Sequence, residues 1–139
     1  MLEDEIRVPI ASDRDILTAR QEGRSLAGSL SFTPGDATLI ATAISELARN
    51  ILTYARRGEI RIRAVNGSAN PGRKVPGIQV IARDEGPGIP DVQQALRDGF
   101  STSGSLGLGL PGVKRLMDEF QIVSAENRGT TVTVRKWRS

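Results

Sequence analysis

Glu46 and Asn50 lie four residues apart in a stretch with helical apolar spacing. One helical turn puts them on a shared face, about 6 Å apart along the axis. By type, neither belongs to the apolar stripe of that stretch, which runs through Leu39, Ile40, Ala43, Ile44, Leu47, Ile51 and Leu52. A carboxylate next to an amide carbonyl suits a hard cation. Mg²⁺ takes oxygen ligands and keeps several waters, so one Asn carbonyl plus the phosphates of ATP would anchor it. Taken alone, two solvated helix residues are the simpler reading. Another acid, Asp84, ends an alternating run and precedes Glu85-Gly86-Pro87-Gly88-Ile89. Gly-Pro-Gly serves a tight turn, but a turn has no need of the acid. A carboxylate at a strand end can accept a hydrogen bond from the exocyclic amine of adenine. Guanine carries a carbonyl there and would be disfavoured. Gly86 and Gly88 let backbone pass close to a base. Gly104-Ser-Leu-Gly107-Leu108-Gly109 leads into a helical segment. Such a loop presents backbone N–H groups and a positive helix end to phosphate. Lys114, just beyond, reads equally as a solvated lysine or a phosphate contact. Gly129-Thr130-Thr131 is explained equally well by a β-turn.

These residues need a frame. Ile6 to Ile10 reads as a strand. Ser12 follows as a helix N-cap, with Asp15 three residues on as the acid of a capping box. Ile16, Leu17, Ala19, Leu26, Ala27 and Leu30 predict a helix stopping near Ser31. Thr33 and Pro34 cap and open the helix that carries Glu46 and Asn50. Gly58 is expected to end it, with Arg56 and Arg57 in its last turn complementing the dipole. Glu59 to Val65 and Ile78 to Arg83 alternate as strands around a glycine-, proline- and asparagine-rich hairpin loop, Asn66 to Gly77. Glu85 to Gly109 is a long glycine-rich loop with one short helix, Asp91 to Asp98. Helix Pro111 to Phe120 and strands Gln121 to Glu126 and Thr130 to Trp137 close the chain, the last two joined by a turn at Asn127-Arg128-Gly129. Strands joined by short turns predict an α+β fold. It is a two-layer sandwich with a mixed, mainly antiparallel sheet and helices on one face.

With 139 residues, the chain is long enough for one domain with a real core. Few aromatics leave that core to Leu, Ile, Val and Ala. No apolar run approaches the roughly 20 residues that span a bilayer, and Met-Leu-Glu-Asp-Glu is no signal peptide. There is no cysteine, hence no disulfide or thiolate metal site, which is compatible with a cytoplasmic location. There is no histidine either, which removes the commonest general base and any phosphohistidine. The net charge of +3 includes a C-terminal cluster of Arg135, Lys136 and Arg138, and the pair Arg56 and Arg57. A solvated surface accounts for these; the sharper reading is attraction for an acidic partner or a polyphosphate. Scattered charges without interleaved aromatics argue against nucleic acid.

In order and spacing, Glu46-Leu-Ala-Arg-Asn50, Asp84-Glu-Gly-Pro-Gly88, Gly104 to Gly109 and Gly129-Thr-Thr131 resemble the nucleotide-binding boxes of the GHKL ATPase and kinase superfamily. Glu46-Leu-Ala-Arg-Asn50, Asp84-Glu-Gly-Pro-Gly-Ile89-Pro, and Gly99-Phe-Ser-Thr-Ser-Gly followed by Gly109-Leu-Pro-Gly-Val-Lys-Arg-Leu-Met-Asp-Glu-Phe120 look like RsbT-type switch kinases of bacterial stress-response modules. The resemblance runs from about Arg7 to Trp137. It implies the Bergerat ATP-binding fold and an ATP- and Mg²⁺-dependent serine/threonine kinase, one domain over 1–139 with an ATP lid at about 88–109. It implies that Asn50 ligates Mg²⁺ and that Glu46 orients or deprotonates the attacking hydroxyl. Asp84, Gly86, Gly88, Ile89, Gly104, Gly107, Leu108, Gly109, Lys114, Thr130 and Thr131 would hold the nucleotide. The implied partners are STAS-domain proteins, as substrate antagonist and stressosome scaffold, and a phosphatase or similar effector bound on release. A different implied role is an anti-sigma factor or ATP-dependent binding module without kinase activity. Arg49, between Glu46 and Asn50, faces the partner protein or only solvent.

Overall fold

The computed structural model describes residues 5–67, 74–88, 109–125 and 127–138. Strand β1 (Glu5–Ile10) is followed by helices α1 (Asp13–Ser29) and α2 (Pro34–Tyr54), strands β2 (Gly58–Gly67) and β3 (Val75–Asp84), helix α3 (Gly109–Leu116), and strands β4 (Glu119–Ser124) and β5 (Thr130–Trp137). The sheet order is β1-β2-β3-β5-β4, and every pairing is antiparallel. The α+β class holds, and the expected mixed sheet is instead wholly antiparallel. Hairpins join β2 to β3 and β4 to β5.

Both long helices start as local chemistry dictates. The Asp15 carboxylate accepts from the Ser12 and Ala11 backbone N–H groups at 3.0 and 2.8 Å. Thr33 Oγ1 accepts from the Asp36 N–H at 3.1 Å, with Pro34 at the first helical position. Substituting such a cap costs about 0.5–2 kcal/mol. The ends are less orthodox. Ser31 takes φ 65° at the end of α1. Its N–H reaches Gly28 O and that of Phe32 reaches Ala27 O, both at 3.0 Å, a Schellman closure without glycine. Helix α2 stops before Arg56 (φ 71°), so Arg56 and Arg57 lie past its last turn. Gly58 is the first residue of β2 rather than the helix terminator.

Alternation sends Val8, Ile10, Ile60, Ile62, Ile78, Val80, Val132 and Val134 to the face covered by α1 and α2, where all are buried. Ile40, Ile44, Leu47 and Ile51 of α2 fill the layer above. Each such side chain contributes about 1.5–3 kcal/mol through burial. Leu17, expected on the buried side of α1, is 56% exposed; Gly23 takes the close approach there, against Ile44.

Three boundaries move because of distant partners. The expected loop Asn66 to Gly77 is shorter, since pairing continues to Gly67↔Val75. The Trp137 ring lies over Gly67 and Gly77 and holds both strand ends. The last helix ends at Leu116, not Phe120. Beyond it, the Asp118 N–H donates to Arg135 O at 2.9 Å and Asp118 Oδ2 accepts from the Trp137 N–H at 2.8 Å, which pulls the chain into β4. The C-terminal basic cluster is split by strand alternation. Lys136 is 9% exposed on the helix-covered side, where Nζ donates to Leu116 O at 3.0 Å and so caps α3. Arg135 points the other way, to Glu119 and Gln79. The expected helix Asp91–Asp98 lies outside the described residues.

Candidate functional site

The site is built where the C-terminal half of α2 meets the end of β3. Glu46 and Asn50 sit one turn apart on α2. Glu46 is 8% exposed, and no hydrogen bond or ion pair engages its carboxylate among the described residues; Asn50 is half-buried. A glutamate on the mostly buried face of a helix otherwise filled by Ile, Leu and Ala marks Glu46 as a residue that packing alone would not choose.

Asp84 reaches the same helix through two close approaches. It pairs with Gly58, and a Cβ on Gly58 would lie 3.1 Å from the Asp84 Cβ and 2.9 Å from Ile51 Cγ2. Ile51 directly follows Asn50. A Cβ on Gly86 would lie 2.6 Å from the Ala55 Cβ, so the turn after Asp84 rests against the last residue of the helix end. Asp84 Oδ1 accepts from the Gly86 N–H at 2.8 Å, which fixes the carboxylate. Its second oxygen makes no hydrogen bond among the described residues and can take a donor from a ligand.

The last glycine segment packs directly on this acid. Thr130 is the register partner of Asp84, and Thr131 of Arg83. Gly129 (φ 78°) lies so close to the Asp84 carbonyl that no side chain fits. Gly88 (φ 79°) meets the Ala125 carbonyl in the same way, and Asn127 N–H donates to Pro87 O at 2.6 Å. The Ser124 and Thr130 hydroxyls lie 2.7 Å apart. These contacts tie Asp84, Gly86, Gly88 and Thr130 into one corner beside the end of α2, whereas Thr131, opposite Arg83, faces the other side of the sheet.

Gly109 (φ 67°) begins α3, which packs against α2 through buried Leu110 and Val113. Lys114 is exposed and falls in the last turn of this short helix, so its charge sits at the negative helix end rather than the phosphate-seeking one. Arg49 is exposed and has no ion pair among the described residues. Ile89, Gly104, Gly107, Leu108 and most of the segment 88–109 lie outside the described residues. Sequence reasoning passed over Ser124, whose hydroxyl braces Thr130 and accompanies the Gly129 carbonyl at 3.1 Å. Nothing local marks it; only the β4–β5 register brings it there.

The donors present fit an adenine nucleotide with a hard cation. They comprise one fixed carboxylate with a free oxygen, one half-buried amide on the facing helix, and a helix N-terminus entered through glycine. Among the described residues no group of three His, Cys, Asp or Glu side chains could hold a metal ion. No described helix is long and apolar enough to cross a membrane.

Comparison with known proteins points the same way. The profile of the family described as histidine kinase-, DNA gyrase B-, and HSP90-like ATPase matches residues 35–138. The chain is similar to the serine/threonine-protein kinase RsbT of Bacillus subtilis (strain 168), with 52% identity over 136 residues, covering 98% of each chain. It is also similar to the anti-sigma F factor of Geobacillus stearothermophilus, at 30% identity over 86% of this chain and 87% of that one. The anti-sigma F factor of Thermoanaerobacter sp. (strain X514) is likewise 30% identical, over 86% and 82%.

Proposed function

This chain belongs to the family of histidine kinase-, DNA gyrase B-, and HSP90-like ATPases and is a serine/threonine protein kinase, and we propose that it phosphorylates a STAS-domain antagonist in a cytoplasmic partner-switching module. In this reading the whole of 1–139 is one ATP-binding kinase domain, with a lid at about 88–109. After release from the antagonist and its stressosome scaffold, the chain binds and activates a phosphatase or similar effector. The observation that supports the reading is that Asp84, with one carboxylate oxygen free among the described residues, packs through Gly58 and Gly86 against the C-terminal part of α2, the helix that carries Glu46 and Asn50.

Asp84, with one oxygen held by the Gly86 N–H, receives the adenine amine on the other. Gly86, Gly88, Ile89 and Thr130 shape the base pocket. Gly104, Gly107, Leu108 and Gly109 would offer backbone N–H groups to the phosphates; Lys114, in the last turn of α3, would add charge only from the far end of that helix. Asn50 would hold Mg²⁺ through its carbonyl, and the ion would supply neutralising charge to the phosphates. Glu46 orients the acceptor hydroxyl or takes its proton. Phosphoryl transfer leaves little covalent chemistry to the protein, so placement and charge dominate.

The test is transfer of labelled phosphate from ATP to a STAS-domain protein encoded by a neighbouring gene, followed by phosphosite mapping. Label on a serine or threonine of that protein is expected, and its loss in a folded Asn50→Ala variant. Wild-type protein that binds ATP but labels no STAS protein refutes the substrate assignment. The likeness to anti-sigma F factors supports a second reading, in which the chain sequesters a sigma factor with ATP as a structural ligand. Nucleotide-dependent sigma-factor capture without any phosphotransfer would favour it.

A further inference from the structure

The helices cover one face of the sheet. Among the described residues the opposite face is lined by charge. Strand register places Arg7, Arg61, Arg63, Arg83 and Arg135 there, against Glu5, Glu59 and Glu119. The three acids are already engaged. Glu5 meets Arg7 at 3.3 Å and Arg61 at 3.4 Å, and Glu59 meets Arg61 at 2.9 Å. Glu119 takes Arg135 at 3.0 Å and the Trp137 Nε1–H at 2.7 Å. Gln79 between these rows is 3% exposed, with its Oε1 committed to Arg135 at 2.7 Å.

Two arginines are left over. Arg83 is exposed and Arg63 is half-buried, and neither has an ion pair among the described residues. The Arg63 Nε is sealed from solvent with no hydrogen-bond partner. A buried donor without an acceptor is unfavourable in the isolated chain, and an incoming carboxylate would pair with the accessible part of the same half-buried guanidinium and offset its charge.

We infer that this face is a second docking surface, which takes an acidic segment of a partner protein on Arg63 and Arg83 while the nucleotide site stays open. The charge argument selects the occupant. A second copy of the chain would bring a like-charged face. Anionic lipid or nucleic acid would spread its phosphates over Glu5, Glu59 and Glu119 as well, whereas the flexible carboxylates of a short acidic segment can gather on Arg63 and Arg83. Glu46 and Asn50 lie on α2, on the other side of the sheet. The inference goes beyond the kinase assignment and does not depend on it.

Trp137 is the sole tryptophan and lies on this face, so its fluorescence reports occupancy. The probe is a deca-glutamate peptide, with deca-glutamine as control, titrated into the full chain at low ionic strength. Saturable binding of deca-glutamate alone is expected, weakening with salt and unaffected by saturating ATP. Affinity should fall about tenfold or more in Arg63→Met, with ATP affinity unchanged and no loss of Tm, because the guanidinium has no partner to lose. Arg20→Met removes one charge from α1 on the opposite side and should change nothing. Arg83→Met reads the same face should Arg63→Met fail to fold. Equal losses in the Arg20 and Arg63 variants, displacement by ATP, or no binding to wild type would each overturn the inference. So would Arg63-dependent binding of phosphatidylglycerol vesicles with none of the peptide. A chain lacking residues 1–4 that binds the peptide far more tightly would also overturn it, since its own acidic terminus would then be the occupant.

Discussion

Arg61 and Ile62 are adjacent on β2 and face opposite sides of the sheet. Ile62 is fully buried beneath the helices, while Arg61 keeps about a quarter of its side chain exposed among glutamates. The division is sharpest on β1 and β2; on β3, β4 and β5 the open face also carries Ile81, Val123, Thr131 and Thr133. The helix-covered face is almost purely aliphatic and is settled by volume and packing. The open face holds its order by directed charge contacts, which are weak in water and readily exchanged. Stability should therefore reside on one face and adaptability on the other, with the candidate chemistry at the border, where α2 and the end of β3 meet.

The border should show the largest functional response. Glu46→Gln keeps size and shape but cannot accept a proton. If Glu46 is the base, phosphotransfer should fall by on the order of 10²–10⁴ with ATP affinity nearly unchanged. A drop of only a few-fold makes it an orienting group. An ATP affinity that falls as far as the rate removes Glu46 from the chemistry. Single-turnover transfer beside calorimetric ATP binding separates the three.

On the packed face, Ile62→Ala leaves a cavity between β2 and the helices. The expected loss is about 2–5 kcal/mol in denaturant unfolding. A loss under about 1 kcal/mol would mean that this layer collapses freely, and the division between the faces would fail.

Asp84→Asn probes the border from its strand side. The amide can still accept the Gly86 N–H but turns an NH₂ toward the incoming base. ATP binding should weaken by about 1–3 kcal/mol, as for a hydrogen bond to a charged group. Unchanged affinity by calorimetry would remove Asp84 from adenine recognition.

What the sequence discloses follows the range of the forces involved. Both helix starts were legible, because Ser12–Asp15 and Thr33–Pro34 act within one turn. Strands β2, β3 and β5 were legible from alternation, and the motif spacing disclosed the family. The end of α2 was misread because glycine at 58 looked like a terminator. Its small size serves instead the crowding of Asp84 and Ile51, while Arg56 adopts the left-handed turn. The fates of Lys136, Phe120 and Gly77 depended on contacts from Leu116, Asp118 and Trp137, which are set by strand order. The same holds for the site. Glu46 and Asn50 share a face by arithmetic, but the packing of Asp84 against the end of their helix needs the β2–β3 register and the close approaches of Gly58 and Gly86.

The smallest effect belongs to the open face. Glu59 Oε2 lies 2.9 Å from Arg61 Nε, with side chains 34% and 26% exposed. The Arg61 Nε is nevertheless without a directed hydrogen bond, so the contact is one of charge more than of aligned donor and acceptor. Solvent screens such a pair, and Glu5 at 3.4 Å gives Arg61 a second anion to lean on. Glu59→Gln should therefore cost about 0–1 kcal/mol in urea unfolding, and less in high salt. The substitution keeps the side-chain length, so packing on the sheet is preserved and the measured change is chiefly electrostatic. It also removes one of the three acids of this face and leaves it more positive. Acidic peptide should then bind slightly better while stability barely moves. A loss approaching that of Ile62→Ala would mean that the charged face carries structure as the aliphatic one does, and the two faces could no longer be assigned different work.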